Sequence, residues 1–187
     1  MNNRTIAFAG LLVLLSMLAC QSLYLGSENS SSPADIYLEL RTVWFKTKPE
    51  TLGIPSEPGS KVPYAVLMDM NVDGDMVTIA SSIVGDGSLL SGTGGGIIGG
   101  VEHENVRQVS IHFVELSGVF VDRMKLSTEF GLPLPSHIKI YVITPSGVYI
   151  TEELSAETLA GGNHEFSPLF LAGNDVMTEL RIADGGQ

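Results

Sequence analysis

Tyr64-Ala-Val-Leu-Met-Asp-Met70, Asn71-Val-Asp-Gly-Asp75 and Met76-Val-Thr-Ile-Ala-Ser-Ser-Ile-Val84 are the consecutive segments whose reading decides the fold. The outer two are short apolar runs, and the Asp-Gly between them is a strong signal for a tight hairpin. A second Asp-Gly, Asp86-Gly87, turns the chain into Ser88–Ser91. Three antiparallel strands in a meander are expected. Asp69–Asp75 also echoes the start of an EF-hand loop, with Asp69, Asn71 and Asp73 at positions 1, 3 and 5 and Gly74 at position 6. Its twelfth position is Ala80 where a bidentate Glu is required, so a plain hairpin accounts for the same residues.

Helices flank the meander. Upstream, Ser32-Pro33-Ala34-Asp35 offers a capping hydroxyl, a proline in the first turn and a carboxylate facing the helix dipole. Ile36, Leu40 and Trp44 then recur every four residues, widened by Tyr37 and Val43 into an apolar stripe. Pro49, Gly53, Pro55, Pro58, Gly59 and Pro63 make the next segment a loop. Downstream, Val106, Val109, Phe113, Leu116, Phe120 and Met124 lie three or four apart, the spacing of a long one-sided helix. Ile138–Thr144 and Val148–Glu152 flank Pro145-Ser146-Gly147 as a second hairpin. Ser167 as cap and Pro168 begin a last helix with Leu169, Ala172, Val176 and Leu180 on one face, where Gly173 costs about 1 kcal/mol of helix propensity. The order helix, three-strand meander, helix, two-strand hairpin, helix implies an α+β two-layer sandwich, helices on one face of a mainly antiparallel sheet. Type III secretion chaperones have a similar order of elements, a likeness of topology that transfers no function.

The first residues belong to a different class. Arg4 is the only charge before an apolar run of about 13 residues from Ile6 to Leu18, short of the roughly 20 needed to span a bilayer. A charged start, a short apolar stretch and small residues describe an export signal over 1–19. The chain's one cysteine, Cys20, follows directly. This junction resembles the lipobox of bacterial lipoproteins, which implies cleavage before Cys20 and its lipidation. Ala19 fits that pattern, whereas Leu18 and Met17 depart from its usual order. A lone exported cysteine has no disulfide partner, which agrees with its use as a lipid attachment point. Residues 20–32 then read as the lipidated cysteine and a serine-rich linker, and 33–187 as one α+β domain. The expected place is the extracytoplasmic face of a bacterial membrane, with secretion as the alternative.

Charge narrows the partners. Ten Lys+Arg against 21 Asp+Glu give −11 at pH 7, and loss of Arg4 with the signal leaves −12. Ten dispersed cations form no phosphate-neutralising patch, so no nucleic acid is expected. An acidic domain is repelled by anionic lipid and should stand off the surface on its tether.

Two segments carry candidate chemistry. Gly94, Gly95, Gly96, Gly99 and Gly100 lie in a glycine run before a helix, where bare N–H groups can cradle an anion. Gly94–Gly99 matches GxGxxG literally, but in a meander rather than a βαβ unit, and no lysine completes a Walker A loop. Glu102 and Glu104 would repel a phosphate. The run therefore reads first as a conformational device and second as a turn that binds a small ligand or peptide; no cofactor is expected. Glu102, His103, Glu104 and Arg107 form a polar cluster, in which a histidine between carboxylates could serve as general base. No nucleophile is adjacent, the order is not HExxH, and a solvated helix start explains it equally. Catalytic residues stay unassigned and no metal site is expected.

Residues 62–181, centred on Ser91–Arg107 with a late Ser167-Pro-Leu-Phe170, resemble an uncharacterised bacterial family sharing a GGGIIG turn followed by a Glu-His-Glu helix start. The resemblance implies a shared fold and no activity. Three readings remain: a membrane-tethered binding or protein-interaction module with an unidentified protein or peptide partner; a small hydrolase or metal-assisted enzyme centred on His103, with His164 or Ser167 nearby; and a chaperone-like or immunity-type masking protein. The oligomeric state is left open.

Overall fold

The computed structural model describes residues 32–185. The export signal, Cys20 and the linker up to Ser31 lie outside the described residues. The chain forms α1 (Pro33–Lys46), a 3-10 turn (Pro49–Leu52), β1 (Ala65–Val72), β2 (Asp75–Ser82), β3 (Gly87–Ser91) and β4 (Gly96–Ile98). Then come α2 (Glu104–Gly118), a 3-10 turn (Val121–Arg123), β5 (Lys125–Ser127), β6 (His137–Thr144), β7 (Gly147–Ile150), β8 (Leu154–Ser155), α3 (Ala156–Ala160) and α4 (Ser167–Ala183). All strand pairs are antiparallel, in the order β4-β3-β2-β1-β6-β7-β5, with β8 on β6. The α+β sandwich and its antiparallel sheet are as the sequence indicates.

The Asp73-Gly74 hairpin has positive φ at both central residues, 53° and 99°, which matches the twist of the strands it joins. Its register sets Asp69 opposite Thr78 and Leu67 opposite Ala80. Asp69 is thus inside the sheet rather than at a calcium loop. Ser32 caps α1 reciprocally: its Oγ accepts from the Asp35 N–H at 3.2 Å, and the Asp35 carboxylate accepts from the Ser32 N–H at 3.0 Å. These bonds hold the Asp35 carboxyl below its usual range.

The helices are divided between both faces of the sheet, which corrects the expectation of one face. Val66, Met68, Ile79, Ile140 and Val142 pack under α2 and α4. Ala65, Leu67, Ala80, Tyr141 and Ile143, which point the other way, pack under Trp44, Phe45, Leu52 and Ile54. This explains why β1 is buried along Ala65–Met70 instead of alternating. Helices α2 and α4 run antiparallel: Val106 meets Leu180 beside Gly100, Phe113 meets Gly173, and the rings of Phe120 and Phe166 lie tilted against each other with centres 5.4 Å apart. Gly173 is there for closeness, since a Cβ would stand 2.5 Å from Met68 Cε. Among the described residues no helix is long and apolar enough to cross a membrane.

On α1 the buried positions are Tyr37 and Arg41, while Ile36 and Val43 of the expected stripe are exposed. Arg41 reaches Asp69 through Nε at 2.8 Å and Nη2 at 2.6 Å, and donates to the Phe130 carbonyl at 2.9 Å. Thr78 Oγ1 donates to the other Asp69 oxygen at 2.6 Å and meets the Tyr37 hydroxyl at 2.8 Å. The guanidinium lies 4.8 Å from the Phe45 ring centre and 5.2 Å from that of Tyr141. Burial, then the charge of Asp69, pushes the Tyr37 phenol up to about 12. The network is a closed structural ion pair that pins α1 to the sheet.

Candidate functional site

The glycine run folds as a hairpin. Ser91 and Gly95 close the turn through a 3.1 Å backbone bond, and β4 returns along β3 with Ile98 opposite Ser88. The GxGxxG match is therefore interrupted by a strand before α2 begins, and its N–H groups do not converge at a helix start. Gly94 packs on Pro33, Gly96 on the Leu89 carbonyl and Gly100 on Val106 and Leu180, while Gly95 and Gly99 have open space around them. Ile98, at the end of β4, is 64% exposed and forms one wall of a groove.

The polar cluster lies in solvent. Glu102, His103 and Glu104 are exposed, and His103 precedes α2 without a side-chain cap. The Glu104 carboxylate turns along its own helix, accepting from Arg107 Nε at 3.1 Å and Gln108 Nε2 at 2.7 Å; these bonds hold it below the usual carboxyl range. His164 and Ser167 lie at the opposite end of the α2–α4 pair, beside Phe166 and Phe120. With α2 at 15 residues, the two histidines are separated by about 20 Å of helix. The structure does not assemble His103 with His164 or Ser167. Among the described residues no three His, Cys, Asp or Glu side chains are grouped for a metal.

What the chain does assemble is a groove between α1 and the β4 edge. Its volume is about 210 Å³. Leu40, Val43, Trp44 and Thr47 supply the helical wall, Ser88 and Leu90 of β3 the floor, and Ile98 the far wall; Thr51, Leu52 and Asp86 close one end. Helix α1 reaches this place because its first turn rests on Gly94 and its Arg41 is locked to Asp69. Asp86 is the only charged group lining the groove, half-buried, and makes no ion pair among the described residues. Burial pushes its carboxyl above the ordinary value, partly opposed by the Gly87 N–H. A second groove of about 410 Å³ runs past Ile54, Pro55 and Tyr64, and its one charge, Glu57, is exposed.

The raised carboxyl gives a signed expectation. A folded-state value above the unfolded one means stability is fully present below the unfolded value and is lost as pH rises through the folded one. At neutral pH the charged Asp86 therefore costs stability. Asp86→Asn should melt at the same or a higher temperature than the parent at pH 7, and the advantage should vanish toward pH 3. A lower melting temperature at pH 7 would show that the carboxylate supports the fold.

Sequence reasoning missed the groove because its walls come from residues 40–52, 86–90 and 98. The one available signal was Trp44, the single tryptophan, on a helix whose apolar stripe is wider than one face can bury. Comparison with protein-family models, with curated proteins and with solved structures gives no match.

Proposed function

We propose that this chain is a non-catalytic binding module, carried on the outer face of a bacterial membrane by a lipid on Cys20. The observation that carries the binding reading is the groove beside Trp44, with Val43 (59% exposed) and Ile98 (64%) as apolar walls left open to solvent. An exposed apolar groove with polar groups at its rim is the usual mark of a recognition site. The solvated, dispersed placement of Glu102, His103 and Glu104 favours binding over an enzyme centred on His103. The tether rests on the signal-like 1–19 and the single cysteine.

Two measurements test it. Metabolic labelling with a fatty-acid analogue should mark the parent protein and not Cys20→Ala, which should be released; equal labelling of both would end the lipid anchor. A photo-crosslinking residue at Val43 should give discrete adducts in cells, and the same residue at Leu171, exposed on α4 across the sheet, should give none. Adducts at both sites or at neither would remove the groove as the binding surface.

A further inference from the structure

We infer that the groove is a socket for one lysine side chain of a partner protein, its alkyl stem lying between Val43 and Ile98 and its ammonium set on Asp86 beside Trp44. The inference rests on the binding reading above and names what the groove takes.

The path of the chain builds the cation site. Helix α1 begins on Gly94, beyond the far end of β3, and its last turn is tied to the β2–β3 turn. The Tyr64 hydroxyl donates to the Thr47 carbonyl at 3.0 Å, the Ile83 N–H to the Tyr64 carbonyl at 2.9 Å, and the Ser82 N–H to the Asp86 carbonyl at 2.9 Å. Trp44 and Asp86 therefore line the same end of the groove. A carboxylate beside an indole suits an organic cation, since one supplies the counter-charge and the other a π face. Along β3, Gly87 and Leu89 face α2 and α4, so Ser88 and Leu90 face the groove. Ser88 is 2% exposed, and its hydroxyl makes no hydrogen bond among the described residues. That enclosed hydroxyl is a second acceptor at the Asp86 end and the Thr51 hydroxyl a third, against the three donors of an ammonium.

The chain brings cations close to Asp86 and still leaves it unpaired. Arg107 packs on Gly85, the preceding residue, but gives its guanidinium to Glu104. Lys46 and Lys48 stand on either side of Thr47, yet neither lines the groove. A charged Asp86 costs stability in the free protein, and a cation arriving from outside removes that cost. Charges held at such a cost concentrate at functional sites.

Size and rim select the carrier. Sites for drug-sized molecules measure about 300–1,000 Å³, against about 210 Å³ here. One long side chain fills that space, its stem on Leu40 and Leu90. A free alkylamine would sink inside and leave the rim bare, whereas Val43 and Ile98, with Ile36 two turns back along α1 (44% exposed), are apolar surface for a partner to cover. With 9 Lys+Arg against 20 Asp+Glu over residues 32–185, the surface field draws basic partners. Lysine fits better than arginine: the Gly87 N–H already bonds the Asp86 carboxylate, which leaves room for a point charge rather than for a two-nitrogen fork.

The probe is Nα-acetyl-lysine methylamide, titrated into the purified chain while the emission of Trp44, the only tryptophan, is followed. A saturable emission change is expected, about tenfold weaker for the norleucine analogue, which keeps the stem without the cation, and weaker for the arginine analogue. In Asp86→Asn the lysine probe should weaken about tenfold and the norleucine probe should not change. In cells, the adducts from the photo-crosslinking residue at Val43 should fall about tenfold in Asp86→Asn. No saturable change, equal weakening of both probes by Asp86→Asn, or an arginine probe that binds as tightly as lysine would each overturn the inference. Probe binding without adducts at Val43 would make the ligand a free amine and overturn the partner protein. Adducts at Val43 that persist in Asp86→Asn, with no probe binding, would overturn the lysine socket and leave the binding function standing.

Discussion

Arg41→Ala should destabilise the folded domain by about 3–5 kcal/mol in denaturant unfolding, because it leaves a fully buried carboxylate without its counter-charge. Against a typical total of about 5–15 kcal/mol, that is a large share. The loss has a specific origin. Asp69 keeps its bond from Thr78, but one oxygen loses both guanidinium contacts, and the Phe45 and Tyr141 rings lose the cation between them. Arg41→Lys restores charge without the two-nitrogen geometry or the bond to Phe130, so it should recover only part. Replacing both partners, Arg41→Met with Asp69→Leu, should be much milder than Arg41→Ala, since no charge is then stranded. If the double replacement is as damaging as Arg41→Ala, the cost lies in packing and not in the orphaned carboxylate.

That pair also shows where sequence reading reaches its limit. The spacing of Ile36, Leu40 and Trp44 identifies α1 and its capping box, because capping and periodicity are local. It misplaces the buried face, because hydropathy scores Arg41 as a solvent residue while the residue that neutralises it lies in β1. Asp69 was the available hint: a lone carboxylate inside a strand apolar on both faces needs a cation from elsewhere. Phe113 and its neighbours were legible for the opposite reason, since α2 buries one regular stripe. The stripe then outruns the helix. Phe120 and Met124 are buried as the spacing implied, but α2 ends at Gly118 and a 3-10 turn carries them. Strands β4, β5 and β8, of two or three residues each, have no periodicity to read and exist only through their pairing. The glycine run turns the chain and leads on to α2, but β4 intervenes, because nothing local reveals that Ile97 and Ile98 pair with β3. The groove depends on that pairing and so stayed invisible.

Gly96→Val should therefore be the most damaging change in the glycine run, and it should act on the groove as well as the fold. Gly96 has φ 156°, and any Cβ there meets the Leu89 carbonyl oxygen, a backbone atom that cannot turn aside. Backbone strain of about 1–3 kcal/mol adds to an overpacking cost of about 1–3 kcal/mol. The hairpin can escape by letting β4 leave β3, which removes Ile98 from opposite Ser88 and opens the groove's far wall. Trp44 emission should then shift toward that of a more exposed ring, and crosslinking from Val43 should fall even at temperatures where the domain remains folded. Gly95→Ala provides the contrast: its φ of 88° imposes strain, but no atom lies within 4 Å of the new Cβ, so only the strain term should be lost and Ile98 should stay in place. If the run were an anion cradle, Gly95→Ala and Gly99→Ala, beside the open space a ligand would occupy, would abolish anion binding with little loss of stability.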